Sequence, residues 1–347
     1  MTFHLGVALD GYGWHTQAWE LFDEPRSVLS GRYWTDLAAT AERGLLDFLT
    51  IDDTLMPQPG RRERIDPKRL AGRGDAVLVA ARIAPGTRHI GLIPVATVTH
   101  TEPFHISKAI ATLDFVSHGR AGWQPRVSAT SHEAALFGRR TVDPAELFAE
   151  ARDYVEVVRR LWHSWEDDAV IRDAATGRYI DVDKVHYIDF TGKYFSVKGP
   201  SITPRPPQGQ PVVAVLAHAG PVYEFASDTA DLVFITPADA SISDLLKQVR
   251  DVSEKLKVFA DIVVSFHGQD DFRSDTWVWS GNAAELVDLL LQWQRVGVDG
   301  ARLRPAVHAT DLPVIVDEVV PLLQRAGEFR DSYRDGETLR ERLGLTA

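Results

Sequence analysis

Short apolar runs alternate with amphipathic stretches along most of this chain. Phe3 to Leu9 is apolar and stops at Asp10-Gly11, after which Thr35 to Leu45 carries Leu37, Ala38, Ala41 and Leu45 at helical spacing. Phe48 to Ile51 ends in Asp52-Asp53, and a charged loop bearing Pro and Gly leads to a helix over Asp75 to Ala84, stopped by Pro85-Gly86. His89 to Ala96 runs out into Thr97-Val98-Thr99-His100. Ile106, Ile110, Leu113 and Val116 line the helix that follows, which ends at Gly119. Each pair reads as a strand and then a helix.

A fourth strand is expected near Ala121 to Ser128, with a bulge or an early end because Pro125 removes a backbone donor. Asp143-Pro144-Ala145-Glu146 has the N-cap, first-turn proline and Glu that open a helix, whose apolar face runs from Leu147 to Trp162. The alternation then breaks from His163 to Gln210, an insertion with a hairpin across Lys184 to Val197 turning near Thr191-Gly192. Pro204-Arg205-Pro206-Pro207 reads as a stiff lead-in to the next strand. Alternation resumes with strands at Val212 to Leu216, Leu232 to Ile235, Ala260 to Phe266 and Gly300 to Arg304. Their helices are Tyr223 to Thr229, Asp244 to Leu256, an Asn282-capped segment ending at Gly297, and Pro313 to Ala326.

Eight strand-helix units with short links predict an α/β fold, a closed (β/α)8 barrel of the TIM type. The whole chain, 1–347, is read as one such domain, with the insertion at 163–210 between the fourth helix and the fifth strand. A doubly wound open sheet is the alternative, but Gly11-Tyr12-Gly13 lacks the third glycine of the nucleotide fingerprint. Composition narrows the picture further. The formal charge of −11 disfavours nucleic acid and anionic membrane surfaces as partners. With no Cys there is neither a disulfide framework nor a thiolate nucleophile. MTFHLGVALDG does not read as a signal peptide and no apolar run spans a bilayer, so a cytoplasmic location is expected.

In such a barrel chemistry sits where the strands end. Those ends carry Asp10, Asp52 with Asp53, Thr97 to His100, Arg126 with Ser128, His218, Thr236, Ser265 with His267, and Arg304, with His308 just beyond. No metal site is expected, because adjacent strand residues such as Asp52 and Asp53 point to opposite faces, and His100, Glu102 and His105 straddle a helix start. The first strand offers only His4 where barrel amidohydrolases carry paired histidines, and no Gly-x-Ser-x-Gly elbow precedes a helix. Trp14, Trp19, Phe104, Trp123 and Phe148 are candidate walls for a flat aromatic ligand. Trp14-His15, directly after the first strand, pairs an indole with an imidazole able to move a proton near neutral pH.

Long stretches resemble the bacterial luciferase-like flavin-dependent monooxygenases, in their nitrilotriacetate and dibenzothiophene-sulfone monooxygenase branch. They include HIGLIPVATVTHTEPFHISKAIATLDFVSHGRAGW, YVEVVRRLWHSWEDDAVIRD, DKVHYIDFTGKYFSVKGP, PRPPQGQPVV and VVPLLQRAGEFRDSYRDGETLRERLGL. The resemblance implies a two-component oxidoreductase, a monooxygenase that uses reduced FMN from a separate flavin reductase, and O2, to oxygenate a small organic substrate. It also implies a homodimer or homotetramer. Carried over by position, Asp52 and Asp53 lie beside the flavin, with Thr97, Thr99, Gln124 and Ser128 near it and His218 with Ala219 at the phosphate turn. His15, His100 and Trp14 are the candidates for the reacting end.

Several positions depart from the family pattern. Gln124 stands for an Asn, Val127 for a Thr and Phe148 for a Tyr; Ala217-His218-Ala219 replaces Gly-Ser-Ser, and Val222-Tyr223 replaces Gly-Arg. His218 or Arg126 would have to supply by charge what the phosphate turn has lost. The segment between Ser265 and Trp277 is short for the family, implying a more open site. Two alternatives follow: a deazaflavin-dependent oxidoreductase, and a non-catalytic flavin- or ligand-binding barrel with a degenerate phosphate site.

Overall fold

A computed structural model describes residues 3–22, 27–56, 66–138, 143–218, 220–268 and 270–345. The first part alternates β1 (His4–Leu9), α1 (Gly31–Arg43), β2 (Phe48–Ile51), α2 (Ala76–Ile83), β3 (Gly91–Thr97), α3 (Pro103–Val116) and β4 (Gly122–Arg126). After α4 (Ser131–Phe137) and α5 (Leu147–Trp162) come two hairpins, β5 (Val170–Asp173) with β6 (Arg178–Ile180), and β7 (Phe190–Thr191) with β8 (Ser196–Val197). The remainder is β9 (Val212–Ala217), α6 (Gly220–Thr229), β10 (Leu232–Ile235), α7 (Ser243–Val252), β11 (Lys257–Ser265), β12 (Val278–Ser280), α8 (Ala283–Arg295), β13 (Gly300–Pro305), α9 (His308–Val314), α10 (Val320–Arg325) and α11 (Leu339–Arg342). No helix among the described residues is long and apolar enough to cross a membrane.

Eight strands pair in parallel in the ring β1-β2-β3-β4-β9-β10-β11-β13 and back to β1, the expected closed barrel. β12 lies outside the ring, paired to the end of β11. Inside, Phe48, Phe234 and Phe259 meet edge-on or tilted with Ile93 and Leu232, and Leu339 and Leu343 close the bottom. Gly6 is required here, because a Cβ at that position would lie 2.2 Å from the Phe48 ring. The larger core fills the space between strands and surrounding helices.

At the barrel's bottom the buried carboxylate of Asp47 accepts the Leu5 amide at 2.8 Å, faces His4 Nδ1 at 3.0 Å and takes the Arg330 guanidinium. This ties the C-terminal tail to the first two strands. Burial works against the charge, but His4 and Arg330 hold this carboxyl well below the usual range.

Four local expectations are refined. Pro125 lies inside β4, in register with Ala96, and the ladder to β9 stops at Trp123, so the missing donor falls where no partner strand needs it. Asp143 bonds the amide two residues on, at Ala145, which makes a turn, and α5 begins only at Leu147. The predicted turn near Thr191-Gly192 is found, the Gly192 amide donating to Phe195. The last helical run starts at His308, with Pro313 in its second turn, because Asp311 reaches back to the Val307 amide at 2.7 Å.

Candidate active site

The C-terminal ends of the strands surround a cavity of about 980 Å³. That volume lies at the upper end of the range for small-molecule sites, about 300–1,000 Å³. Its floor is charged. β11 and β13 are in register with Asp261 opposite Arg302, and Arg304, two residues on, shares Arg302's face. Asp261 accepts both arginines, Arg302 through Nε at 2.9 Å and Nη2 at 2.6 Å, and Arg304 through Nε at 3.0 Å. Arg302 also donates to Gln124 Oε1 at 2.9 Å and lies 3.9 Å over the Phe234 ring. Burial opposes ionisation of Asp261, but attraction to Arg302 and then Arg304 outweighs it, so its pKa falls below the ordinary value.

One wall is built by the loop after β1. Gly13 (φ +139°) presses against the Ala306 carbonyl, which a Cβ would approach to 2.2 Å. Amides of Trp14 and His15 bond Pro305 and Ala306 at 3.1 and 2.9 Å, stitching this loop onto the end of β13. The Trp14 indole thereby covers the Arg304 guanidinium, 4.4 Å from the ring centroid. His15 accepts the Gln17 amide at Nδ1 (3.2 Å) and donates from Nε2 to Asp271 (2.9 Å), while Phe272 stands edge-on to its ring. Both imidazole nitrogens are engaged, which pins the 270–276 strap to the first loop.

On the next wall Arg73 bridges Asp10 at 3.4 Å and Asp52 at 3.3 Å. Arg126 reaches Asp52 at 3.3 Å and the Asp53 carbonyl at 2.9 Å. Phe148, Val222 and Phe225 make an apolar side opposite, next to His218.

Of the sequence-predicted residues, Trp14, His15, Asp52, Gln124, Arg126 and His218 therefore share one cavity. Of the remaining described candidates for catalysis or cofactor binding, none lines it. Asp53 turns away to cap α2 through the Ala76 amide at 3.0 Å, and burial raises its pKa. Thr99 accepts the Ser128 amide at 3.0 Å, and the Ser128 hydroxyl is committed to Glu133. Thr97 is buried, its carbonyl taken by the Thr101 hydroxyl at 2.8 Å. His100, at φ +71°, stacks on Phe137 with centroids 5.5 Å apart. Ala219 lies outside the described residues. Trp19 and Phe148 join the aromatic wall, whereas Trp123 is wholly buried against Tyr154 and Phe104 lies off the cavity. Strand-end inspection missed Asp261 and Arg302, and the signal was present: charged residues inside the apolar runs FADIVVS and GARLRP, with both arginines on one strand face. Among the described residues no cluster of three His, Asp or Glu side chains could hold a metal.

The comparisons decide the family. Residues 14–267 match the luciferase-like monooxygenase model. The chain belongs to the luciferase-like monooxygenase family. It is 36% identical to nitrilotriacetate monooxygenase component A from Aminobacter aminovorans over 99% of this chain and 96% of that protein. It is 29% identical to the N-acetyl-S-(2-succino)cysteine monooxygenase of Bacillus subtilis (strain 168) over 98% and 96%. Crystallographic long-chain alkane monooxygenase superposes with a TM-score of 0.88 at 24% identity, covering 99% of this chain and 96% of that one. For EDTA monooxygenase from Chelativorans the values are 0.85 and 23%, covering 100% and 99%. At these identities the two structures speak for the fold.

The luciferase-like chain is thus an FMN-dependent monooxygenase, and its cavity fits the ring system of that cofactor. It is large enough for a tricyclic ring with substrate beside it, has aromatic and aliphatic walls, and carries Gln124 and Thr50 as polar groups at the floor.

Proposed function

We propose that this monooxygenase is the oxygenating member of a two-component pair, receiving reduced FMN from a separate flavin reductase and oxygenating a small organic substrate in the strand-end cavity. The observation that carries this reading is the combination of a single large mouth with apolar walls above a floor whose charges are all mutually paired. When bound, reduced FMN supplies the O2-activating chemistry. The residues of the chain supply what the cofactor cannot.

Trp14, Phe148 and Phe225 exclude water from the reacting region, and the paired arginines beneath provide fixed dipoles that need no reorganisation. Gln124, oriented by Arg302, holds the polar edge of the ring, and Arg126 with Asp52 borders the substrate's entrance. With both nitrogens of His15 committed, its role in this reading is to hold the strap across the mouth. His100 and Ser128 act behind the wall by fixing the loops after β3 and β4. A homo-oligomer and a cytoplasmic location complete the reading, the former suggested by Tyr179, Val182, Tyr187 and Ile202, exposed on the insertion.

Oxygen consumption with photoreduced FMN and candidate substrates tests it, with the reductase left out. Uptake matched by an oxygenated product is expected. Flavin binding without product formation would instead favour hydride transfer or a non-catalytic binding protein.

A further inference from the structure

The resemblance puts the flavin's phosphate at the turn between β9 and α6, and the described residues of that turn offer few side-chain donors to a phosphate. From Ala217 to Tyr223, His218 is the one described residue with an ionisable nitrogen; no Ser or Thr occurs, and Pro221 removes an amide donor from the first turn of α6. His218 is already engaged, with Nδ1 2.8 Å from Thr236 Oγ1 and Nε2 3.6 Å from an Asp275 oxygen. Asp275 is in turn held by Arg304 through Nη1 at 2.5 Å and Nη2 at 3.3 Å, and its side chain remains 30% exposed at the cavity wall. His218 and Arg304 therefore both already face the Asp275 carboxylate.

We propose that Asp275 makes the cavity a site for the flavin ring system with little grip on a terminal phosphate, so that unphosphorylated flavin is accepted alongside FMN. A phosphate dianion entering at this turn meets the Asp275 carboxylate, and the like charges cancel what His218 offers. Arg273 lines the same rim, but it is exposed, and an exposed ion pair there is worth about fivefold or less. The inference rests on the cavity being the flavin site.

Anaerobic titration of the full chain with photoreduced FMN and photoreduced riboflavin, read by quenching of tryptophan fluorescence, tests both. The two dissociation constants are expected to agree within about tenfold, and Asp275→Asn should tighten FMN about tenfold and leave riboflavin unchanged. A wild-type preference for FMN beyond about a hundredfold overturns the proposal, as does an Asp275→Asn variant that shifts both flavins equally. Should that variant fail to fold, the salt dependence of the wild type decides. FMN affinity that is flat or improves between 0.05 and 0.5 M salt, roughly the range over which surface charges become screened, is expected, and a steep loss overturns it. Binding of neither flavin overturns the flavin-site reading itself, a result distinct from a strong phosphate preference.

Discussion

Two fully buried carboxylates, Asp47 and Asp261, sit at opposite ends of the same barrel, and each is paired with cations. Asp47 closes the bottom, where one arginine and a histidine reach it from the tail and from β1, and Arg330 keeps 14% of its side chain exposed. Asp261 lies beneath the cavity with two arginines only 4% and 1% exposed. The difference is the access of the partners to water. Arg330 already reaches water if its carboxylate is lost, whereas Arg302 and Arg304 are almost fully enclosed. A buried pair of the second kind adds little net stability over an apolar substitute, yet losing one partner is severe. It is therefore best understood as a fixed polar platform under the cofactor site rather than as a fastener.

The largest effect is expected for Asp261→Ala, which strands the desolvated Arg302 guanidinium and leaves Arg304 with Asp275 alone, at about 3–5 kcal/mol in urea unfolding. Asp47→Ala should cost less, about 1.5–3 kcal/mol, the range for hydrogen bonds to charged groups. A reversed order would refute the solvent-access argument.

Acid sharpens the contrast. His308 is wholly buried, which pushes its pKa down to about 3, so it is neutral in the fold. The unfolded chain takes up its proton first, so stability is complete above about pH 6.5 and declines by about 1.4 kcal/mol per unit as pH falls toward 3. The two carboxylates act lower. Their folded pKa values are depressed, so their contribution is present above about pH 4 and is lost below it. His308→Gln should remove the upper part of the acid limb and leave the lower part, as read from urea midpoints between pH 7 and 3. The smallest effect is expected for Asn282→Ala, which breaks the capping box of α8 far from both carboxylates, at about 1 kcal/mol.

Much of the barrel was legible because parallel strands buried on both faces write themselves as short apolar runs, and amphipathic helices separate them. The β5–β6 hairpin was not, since its residues are largely exposed and leave no alternation to read. The short helix α4 was missed for its length, although Thr130 capping Glu133 was a signal. For the site, strand-end polarity found the mouth residues Asp52, Arg126 and His218. It also gathered Thr97, Thr99 and Ser128, whose hydrogen bonds fasten loops to one another, because residue type alone does not distinguish a polar group facing a cavity from one bonding the next loop. The Asp261–Arg302 pair of the floor went unread because both residues sit inside strands, where only the pairing register shows that they face each other.

The most direct measurement is diffraction from crystals of this protein equilibrated with FMN. Isoalloxazine density is expected in the cavity bordered by Trp14, Phe148 and Phe225, above Gln124 and Arg302, with the Asp261 pairs unmoved. Ring density at another place, or a cavity left without it at saturating flavin, would contradict the account.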